Sequence, residues 1–492
     1  MKLLEVQNNQ LFNIDAIHFL VKDEFQNSVS ELMQNGNRMI ALTPVDKSDP
    51  HKIIAVLSDS NSSMISVVGG DFSKGKLEFE SWANDFPQTH YFECELSENY
   101  GYVPVNHPWL RPVRKQNVIL GNKPYQFFKL EGEEVHEVAV GPIHAGVIEP
   151  GHFRFQCHGE LVYNLEINLG YQHRGVEKLF LQANPNQRII LSESITGDTT
   201  IGHTFAHCNA IESLSHTQLS LRAEVVRTIA SEIERVAMHL SGLGGVANDI
   251  GFALPASSYG RLRTLAINSL ALICGSRFGR GLFVYGGVRF DLNDEIIKTV
   301  IKNLKIIQND VQQINKYLFS SVGALSRFEE TGIVRKDLAQ SIGMVGLAAR
   351  SSGLEEDVRI HFPYSAYRYN PISMITLSTG DVFARARLRA LEIDEALRFT
   401  FDQIENLPQG EIESEVGNIA ANSGVISIIE GWRGEIVHIV FTDKNGNLLN
   451  YKIKDPSFNN WYGLSLALRE TAISDFPLCN RSFDLSYAGH DL

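Results

Sequence analysis

The chain has 492 residues, of which 43% are hydrophobic and 21% are charged, and its formal net charge at pH 7 is −13. A chain of this length is expected to form more than one domain, each with a sizeable core. The negative charge, together with the absence of a long Lys/Arg run, excludes a typical nucleic-acid binder, because such binding depends on clustered cations that release counterions.

Two further compositional features indicate where the chain works. No window approaches about eighteen consecutive apolar residues, so no transmembrane helix is expected, and the N-terminal residues include an acid and amides where a signal peptide needs an apolar run. The five cysteines are scattered and form no C-x-x-C pair, which is typical of a reduced compartment and provides no iron–sulfur or zinc cassette. We therefore expect a cytoplasmic protein.

The first 120 residues have the pattern of a separate α+β domain. Short β-type runs begin at Met39, Lys52 and Met64, and the third is ended by Gly69-Gly70. Residues 121–140 contain a proline and a run of acidic residues, which is typical of a linker. The chain is therefore predicted to divide into a domain at 1–120, a linker at 121–140 and a second domain at 141–492.

The second domain is predicted to be mainly helical, with small peripheral sheets. Residues 153–167 alternate as a hairpin does, with His158-Gly159-Glu160 at the turn. An apolar stripe then predicts one long helix from about Cys208, ended by Gly242, Gly244 and Gly245. Later helical patterns cover 259–275, 294–322, 335–350 and 380–405, and strand patterns cover 425–441 and 448–453.

Short polar motifs between apolar segments predict a site built from loops and helix starts. These motifs are Gly141-Pro-Ile-His144, Glu149-Pro-Gly-His152-Phe-Arg, His173-Arg-Gly-Val-Glu177-Lys and Thr196-Gly-Asp-Thr199-Thr-Ile-Gly-His203. They resemble the large subunit of membrane-bound, energy-converting nickel–iron hydrogenases and the 49-kDa subunit of complex I. The segment around His107-Pro-Trp-Leu-Arg111 resembles the 30-kDa subunit of complex I.

The resemblance implies an α+β fold, in which a 30-kDa-like α+β domain precedes a mainly helical domain like the hydrogenase large subunit and the 49-kDa subunit. This fused order resembles the large subunits of formate hydrogenlyase and hydrogenase-4. The expected partners are a small iron–sulfur subunit, a ferredoxin-like subunit and antiporter-like membrane subunits. The chain would then lie peripherally on the inner face of the cell membrane, held there through its complex.

The same resemblance places four nickel–iron thiolate ligands at Thr196, Thr199, Cys479 and Ser482. Only one of these residues is a cysteine, and hydroxyls at neutral pH do not replace the thiolates that hold nickel and iron. We therefore predict that the nickel–iron centre is absent and that hydrogen turnover does not occur. An iron–sulfur cluster is expected only in a partner subunit.

Other site residues persist in the resemblance. Glu149 corresponds to a proton-transferring glutamate, and the alternative is a carboxylate that caps the turn at Pro150. Arg433 corresponds to an arginine above the hydrogenase iron and would offer a fixed donor fork to an anion or oxygen. The alternative for Arg433 is an ion pair with Glu430 or Glu435.

Glu177 matches a position that holds magnesium in soluble hydrogenases, an ion that prefers oxygen ligands. The alternative is an ion pair with Arg174 or a contact with a neighbouring helix end. His203 follows the lost thiolate pair, and with His207 and Cys208 it forms a loose candidate zinc cluster. A core histidine with satisfied hydrogen bonds is the alternative for His203.

Quinone is the remaining candidate ligand. Asp249 corresponds to an aspartate near the quinone headgroup of complex I, whereas the position of the quinone-binding tyrosine falls at about Gly197. His144 and His152 are candidate positions of the former nickel–iron or quinone pocket.

Three hypotheses about function follow. In the first, the chain is the catalytic-type large subunit of an energy-converting membrane oxidoreductase complex. Glu149, His203, Asp249 and Arg433 would then line a proton-coupled cavity beside a partner's cluster. In the second, it is a non-catalytic structural or coupling subunit of such a complex. The third, a true hydrogenase or a quinone reductase of the NADH-quinone oxidoreductase type, is disfavoured by the lost ligands.

Overall fold

A computed structural model describes residues 3–115, 119–120, 123–145 and 148–492. Helices account for 45% and strands for 19% of the structure, so the predicted α+β class is confirmed at this level. Within the described ranges, no helix has the length and hydropathy needed to cross a membrane.

The first 168 residues contain most of the strands. In chain order the elements are β1 (Leu4–Val6), β2 (Leu11–Asn13), β3 (Phe19–Val21), α1 (Lys22–Gln34), β4 (Arg38–Asp46), β5 (Asp49–Asp59), β6 (Met64–Asp71), β7 (Glu78–Glu80), α2 (His90–Tyr100), β8 (Val103–Val105), β9 (Ile119–Leu120), β10 (Lys123–Pro124), β11 (Val135–Val140), β12 (His152–His158) and β13 (Leu161–Asn168).

The remaining residues are mainly helical. Their elements are α3 (Val176–Gln182), α4 (Pro185–Ser192), α5 (Thr200–Leu214), α6 (Leu221–Asp249), α7 (Ala253–Cys274), β14 (Phe283–Val284), β15 (Gly287–Val288), α8 (Asp294–Ser320), α9 (Val322–Phe328), α10 (Lys336–Ser341), α11 (Gly346–Ser351), α12 (Val358–His361), α13 (Val382–Glu405), β16 (Ser423–Glu430), β17 (Glu435–Thr442), β18 (Leu448–Lys454), α14 (Pro456–Ala467), α15 (Phe476–Phe483) and α16 (Tyr487–Asp491).

The N-terminal sheet has the strand order β1-β6-β5-β4, and β3 pairs in parallel with β6. The three β-type runs predicted from the sequence are its strands β4, β5 and β6. Helix α1 covers one face, and the ring of Phe25 packs against Gly70, where a Cβ would lie 2.8 Å from Phe25 Cγ. A glycine is therefore required for this close approach.

The N-terminal region shares a second sheet with the C-terminal part of the chain. Strand β2 pairs antiparallel with β16, in the register Leu11↔Val425, and the sheet has the order β18-β17-β16-β2. A segment of the predicted first domain thus completes a sheet of the predicted second domain.

The predicted linker ends in regular structure. Strand β11 pairs with β12, and β12 forms the predicted hairpin with β13 across the turn at Gly159. The hairpin prediction is confirmed, and residues 121–122 of the predicted linker lie outside the described residues.

The helix predicted from about Cys208 is wrong in two respects. The chain turns between α5 and α6, where Ser220 caps α6 by accepting a hydrogen bond from the Ala223 N–H. Helix α6 then continues past Gly242 and Gly245 instead of ending there. A Cβ at these positions would lie 2.7 Å from Arg389 Nε and 2.3 Å from Arg481 Nε, so these glycines mark close packing and not a helix end.

Two other predicted elements are divided. The predicted helix at 335–350 is two short helices, α10 and α11, because Gly343 and Gly346 adopt positive φ values of 67° and 62°. The predicted strand at 425–441 is the antiparallel pair β16–β17, joined by a tight turn at residues 431–434. This turn carries Arg433 to the N-terminal end of α5, where the candidate site lies.

Candidate functional site

Arg433 organises the site by joining three segments of the chain. Its guanidinium donates to both carboxylate oxygens of Asp198, at 2.7 and 2.6 Å, and to Thr199 Oγ1 at 3.1 Å. Its Nε donates to the Asp484 carbonyl at 2.5 Å. The guanidinium also stacks 3.8 Å above the Trp432 ring. Arg433 therefore pairs with Asp198, and not with Glu430 or Glu435 as the alternative interpretation proposed.

The early pair of expected metal ligands surrounds the same carboxylate. Thr196 and Thr199 donate their hydroxyl protons to Asp198 Oδ1, at 2.8 and 3.2 Å. Burial would raise the pKa of Asp198, but the Arg433 guanidinium outweighs it and lowers the pKa to about 2. Asp198 is thus ionised, and its side chain keeps 39% exposure to solvent.

The late pair lies on α15 among buried arginines. Ser482 Oγ donates to the Cys479 carbonyl at 2.6 Å and accepts a hydrogen bond from Arg385 Nε at 2.8 Å. Arg389 donates to the Ser482 carbonyl at 2.6 Å. Burial raises the pKa of the Cys479 thiol to about 12, although Arg385 opposes the shift. The remaining cysteine is therefore a neutral thiol.

Sequence reasoning missed Arg385 and Arg389 as members of the site. They lie one helical turn apart on α13, and both are buried. Burial lowers the pKa of each to about 10. Their four-residue spacing inside an apolar helical pattern is the signal that could have identified them, because two arginines on a buried helix face need partners.

Asp249 and Glu149 lie at the exposed edge of this region. Asp249 is the last residue of α6, and partial burial raises the pKa of its carboxyl while Arg481 opposes the shift. Burial raises the pKa of the Tyr487 hydroxyl to about 12, and the charges of Glu149 and Asp484 add to this rise. Glu149 is thus within electrostatic reach of Tyr487, and Asp249 is within electrostatic reach of Asp484, whose carbonyl accepts from Arg433.

His144 and His152 contact the backbone of their own loop. A ring nitrogen of His144 lies 2.8 Å from the Gly151 carbonyl, and one of His152 lies 3.3 Å from the Gly141 carbonyl. Both rings are half-buried. These contacts tie the first two motifs together, and no hydrogen bond in the described part of the chain links either ring to Arg433.

Glu177 forms ion pairs with lysines. Its carboxylate lies 2.9 Å from Lys452 Nζ and 3.6 Å from Lys47 Nζ, and it accepts a hydrogen bond from the Ile453 N–H at 3.0 Å. Burial would raise the pKa of Glu177, but the two lysines lower it to about 2. These contacts favour the ion-pair alternative over magnesium, with lysines in place of Arg174.

His203 is fully buried behind the cluster. Its Nε2 lies 3.1 Å from Asp455 Oδ2, and its Nδ1 lies 3.2 Å from His438 Nε2. His207 hydrogen-bonds two tyrosine hydroxyls, so it does not converge with His203 on a common point.

One group in the described ranges has its His, Cys, Asp or Glu donor atoms close enough together for a metal ion. Its members are His90, Cys94 and His107. The positive charge of Arg111 acts on both His90 and Cys94, which disfavours a bound cation.

Comparison with known proteins agrees with the motifs. The family model described as "Respiratory-chain NADH dehydrogenase, 49 Kd subunit" matches residues 249–425. Hydrogenase-4 component G of Escherichia coli is 28% identical over 436 residues, which cover 84% of this chain and 76% of that protein. Formate hydrogenlyase subunit 5 of the same organism is 28% identical over 440 residues, covering 85% and 77%.

A subunit named C/D has the same identity over a smaller share of this chain. The C/D subunit of the NADH-quinone oxidoreductase of Bacteroides thetaiotaomicron is 28% identical over 401 residues, which cover 74% of this chain and 75% of that protein. The predicted resemblance is confirmed: the chain is similar to subunits of hydrogenase-4, formate hydrogenlyase and NADH-quinone oxidoreductase, and over residues 249–425 to the 49-kDa family model.

Proposed function

We propose that this chain is the cytoplasmic large subunit of a hydrogenase-4-like or complex I-like membrane oxidoreductase complex, and that its site works without a nickel–iron centre. The single observation that carries this proposal is the Arg433–Asp198 ion pair. This pair hydrogen-bonds Thr196 and Thr199, the two residues to which the hydrogenase resemblance assigns the early thiolates.

The donor atoms of the site do not fit a nickel–iron centre. Such a centre needs soft thiolate ligands, whereas Thr196 and Thr199 donate their hydroxyl protons to Asp198. Ser482 is hydrogen-bonded to Arg385, and burial keeps Cys479 protonated. No step of the proposed function therefore passes through nickel or iron in this chain.

The site suits proton coupling instead. Asp198 and Arg433 form a fixed charge pair that is partly exposed to solvent. Glu149 and Asp249 are exposed and would supply two further carboxylates at its rim. An electron that reaches an iron–sulfur cluster in an adjoining small subunit adds a negative charge there. A proton taken up by Glu149 or Asp249 would compensate that charge. Ferredoxin-like and antiporter-like subunits would complete the complex, as the resemblance of the sequence motifs implies.

The assembly is tested by purifying the tagged chain from detergent-solubilised membranes of its own organism and identifying what co-purifies by mass spectrometry. We expect a small iron–sulfur subunit, a ferredoxin-like subunit and antiporter-like membrane subunits in fixed ratio. Recovery of the chain alone from the soluble fraction would contradict the proposal.

The proton-coupled role is tested with Arg433→Gln in the same complex. We expect assembly to persist while the pH dependence of electron transfer to the neighbouring cluster changes. The control is Arg398→Gln, which alters an arginine with a half-exposed side chain on α13. Within the described residues, its ion pairs are with acids of its own helix. The control should behave like the unaltered complex.

A non-catalytic structural or coupling role is the second candidate, and the full engagement of Thr196, Thr199, Ser482 and Arg433 in internal hydrogen bonds favours it. Under this alternative, Arg433→Gln would lower the yield of assembled complex without changing the pH dependence of electron transfer. Quinone reduction that is lost on Asp249→Asn would instead support the quinone-binding alternative.

A further inference from the structure

A continuous line of hydrogen-bonded side chains crosses the layer between α5 and the sheet formed by β16–β18. In spatial order its members are Asp455, His203, His438, Tyr451, His207 and Tyr285. The five contacts between successive members measure 3.1, 3.2, 2.8, 2.7 and 2.8 Å. Every ring nitrogen of the three histidines is used within the line.

The interior of the line is closed to water. His203, His207, His438 and Tyr451 have no exposed surface, and Asp455 is also buried. Polar rings are costly to bury unless they are hydrogen-bonded, and an apolar core at this place would need no such network. Only Tyr285, at the far end, is half-buried, and its hydroxyl lies 3.0 Å from the Pro185 carbonyl.

When Asp455 is ionised and all three imidazole rings are neutral, the hydrogen bonds can be satisfied in only one sense. The His203 Nε2–H must donate to the carboxylate, so its Nδ1 accepts from the His438 Nε2–H. A neutral imidazole carries one proton, and burial lowers the pKa of His207 to about 3 and that of His438 far below its usual range. His438 Nδ1 must therefore accept from the Tyr451 hydroxyl.

The same reasoning fixes the donors in the outer half of the line, between Tyr451 and Tyr285. The Tyr451 oxygen accepts from the His207 Nδ1–H, and His207 Nε2 accepts from the Tyr285 hydroxyl. All five donors then point toward Asp455. A chain of hydrogen bonds ordered in one direction is the arrangement in which a proton can pass by successive short shifts, without any group crossing the interior.

We propose that this line is a proton path that connects the solvent edge at Tyr285 with Asp455 beside the Arg433 cluster. A proton from solvent binds the Tyr285 oxygen as its original proton moves to His207 Nε2. Each following N–H or O–H bond breaks as the next one forms, and the last proton arrives on Asp455. One proton enters, one is delivered, and no group along the line is left charged.

After the proton transfer, the groups at both ends of the line still have hydrogen-bond partners. After the transfer every hydrogen bond of the line is reversed, and the Tyr285 hydroxyl can donate to the Pro185 carbonyl. At the inner end, the positive charge of Arg433 lowers the pKa of Asp455, and the negative charge of Asp455 raises the pKa of Arg433. The delivered proton therefore arrives within the electrostatic reach of the site. The use of this proton rests on the proposed function, whereas the path itself does not.

The path is tested on the purified full chain by NMR with ¹⁵N-labelled histidine. We expect His203 and His438 to be Nε2–H tautomers and His207 to be the Nδ1–H tautomer. After transfer to heavy water, the N–H protons of these three rings should exchange about tenfold or more faster than that of His239. His239 is equally buried, but in the described part of the chain only its Nε2 is hydrogen-bonded, to Glu392.

Two variants locate the path. Tyr285→Phe should slow exchange about tenfold or more at all three histidines, and Tyr451→Phe should slow it at His203 and His438 but not at His207. The matched control is Tyr259→Phe, which removes a buried hydroxyl that bonds Asn315 away from the line. It should change none of the three rates.

Different results would overturn the path. Tautomers that oppose one another in the unaltered chain would exclude a single direction, and this measurement needs no variant to fold. If the N–H protons of the line exchanged at the same rate as that of His239, exchange would occur by opening of the fold. The same conclusion would follow if Tyr451→Phe left the exchange rate at His438 unchanged. Because no partner or turnover enters the test, it can succeed even where the proposed function fails.

Discussion

Arg433 shows how a side chain's partner is chosen by the fold rather than by its neighbours in sequence. Its carboxylate partner, Asp198, is 235 residues away and is reached because the β16–β17 turn lies at the start of α5. The nearby Glu430 and Glu435 pair with Arg350 and Arg38 instead. The sequence identified the arginine through its motif, but it carries no local signal for this pairing.

Asp198→Asn is predicted to destabilise the protein by about 1–3 kcal/mol at pH 7, because it removes the charge that holds Arg433. The folded-state pKa of Asp198 is about 2, below its ordinary value of 3.8. The ion pair therefore contributes fully above about pH 4, and its contribution is lost as the pH falls toward 2. Chemical denaturation of both proteins across this range should show the difference shrinking. A constant difference would contradict the assignment.

Glu234 is predicted to make stability fall as the pH rises. This buried carboxyl accepts hydrogen bonds from the Ile201 and Gly202 N–H groups at the start of α5, and burial raises its pKa from 4.5 to about 8. The folded state thus keeps a proton that the unfolded state has released, so stability decreases between those two pH values.

The neutral variant Glu234→Gln should remove this pH dependence. The Gln amide can accept from only one of the two N–H groups, so its free energy of unfolding should lie below that of the unaltered chain near pH 4.5. This deficit should shrink as the pH rises toward 8, the upper pKa limit of the group. Parallel curves over that range would show that Glu234 does not titrate in the folded protein.

Helix α6 shows what a periodic pattern can and cannot predict. The apolar stripe correctly predicts a long helix, but Gly242, Gly244 and Gly245 lie inside this helix and do not end it. Their actual role depends on side chains from α13 and α15 that no local window contains. The turns inside the predicted helix at 335–350 and the predicted strand at 425–441 likewise have no local signal, because Gly346 of the first segment packs against Gly434 of the second.

Gly242→Ala is predicted to destabilise α6 packing by about 1–3 kcal/mol, because its Cβ would lie 2.7 Å from Nε of the buried Arg389. Gly244→Ala is the matched control, since its nearest contact would be an ordinary 3.4 Å from Tyr259 Cβ. The control should be neutral or stabilising by up to about 1 kcal/mol, from helix propensity alone. Thermal unfolding compares the two, and equal melting temperatures would refute the packing argument.

At the scale of the whole molecule, the two ends of the chain are joined in one sheet. The resemblance predicted the order of a 30-kDa-like segment and a 49-kDa-like segment, but not the pairing of β2 with β16. Phe12 on β2 packs edge-on against Phe441, at 6.2 Å between ring centroids. A pairing between residues separated by most of the chain leaves no trace in local periodicity.

Phe12→Ala is predicted to lower the free energy of unfolding by about 3–5 kcal/mol, because it leaves a cavity between β2 and the C-terminal sheet. The control is Phe290→Ala, whose ring is 38% exposed. Proteolysis at increasing urea should show residues 3–115 and 423–492 becoming susceptible together at a lower urea concentration. Loss of resistance in the N-terminal residues alone would contradict a shared sheet.

The measurement that tests the central claim most directly is elemental analysis of the complex, purified with its iron–sulfur partner, by mass spectrometry. The account predicts no nickel, and iron only in the amount that the partner's clusters hold, because Thr196, Thr199 and Ser482 supply no thiolate. Nickel at about one atom per chain would contradict it, since such a stoichiometry means a complete ligand set.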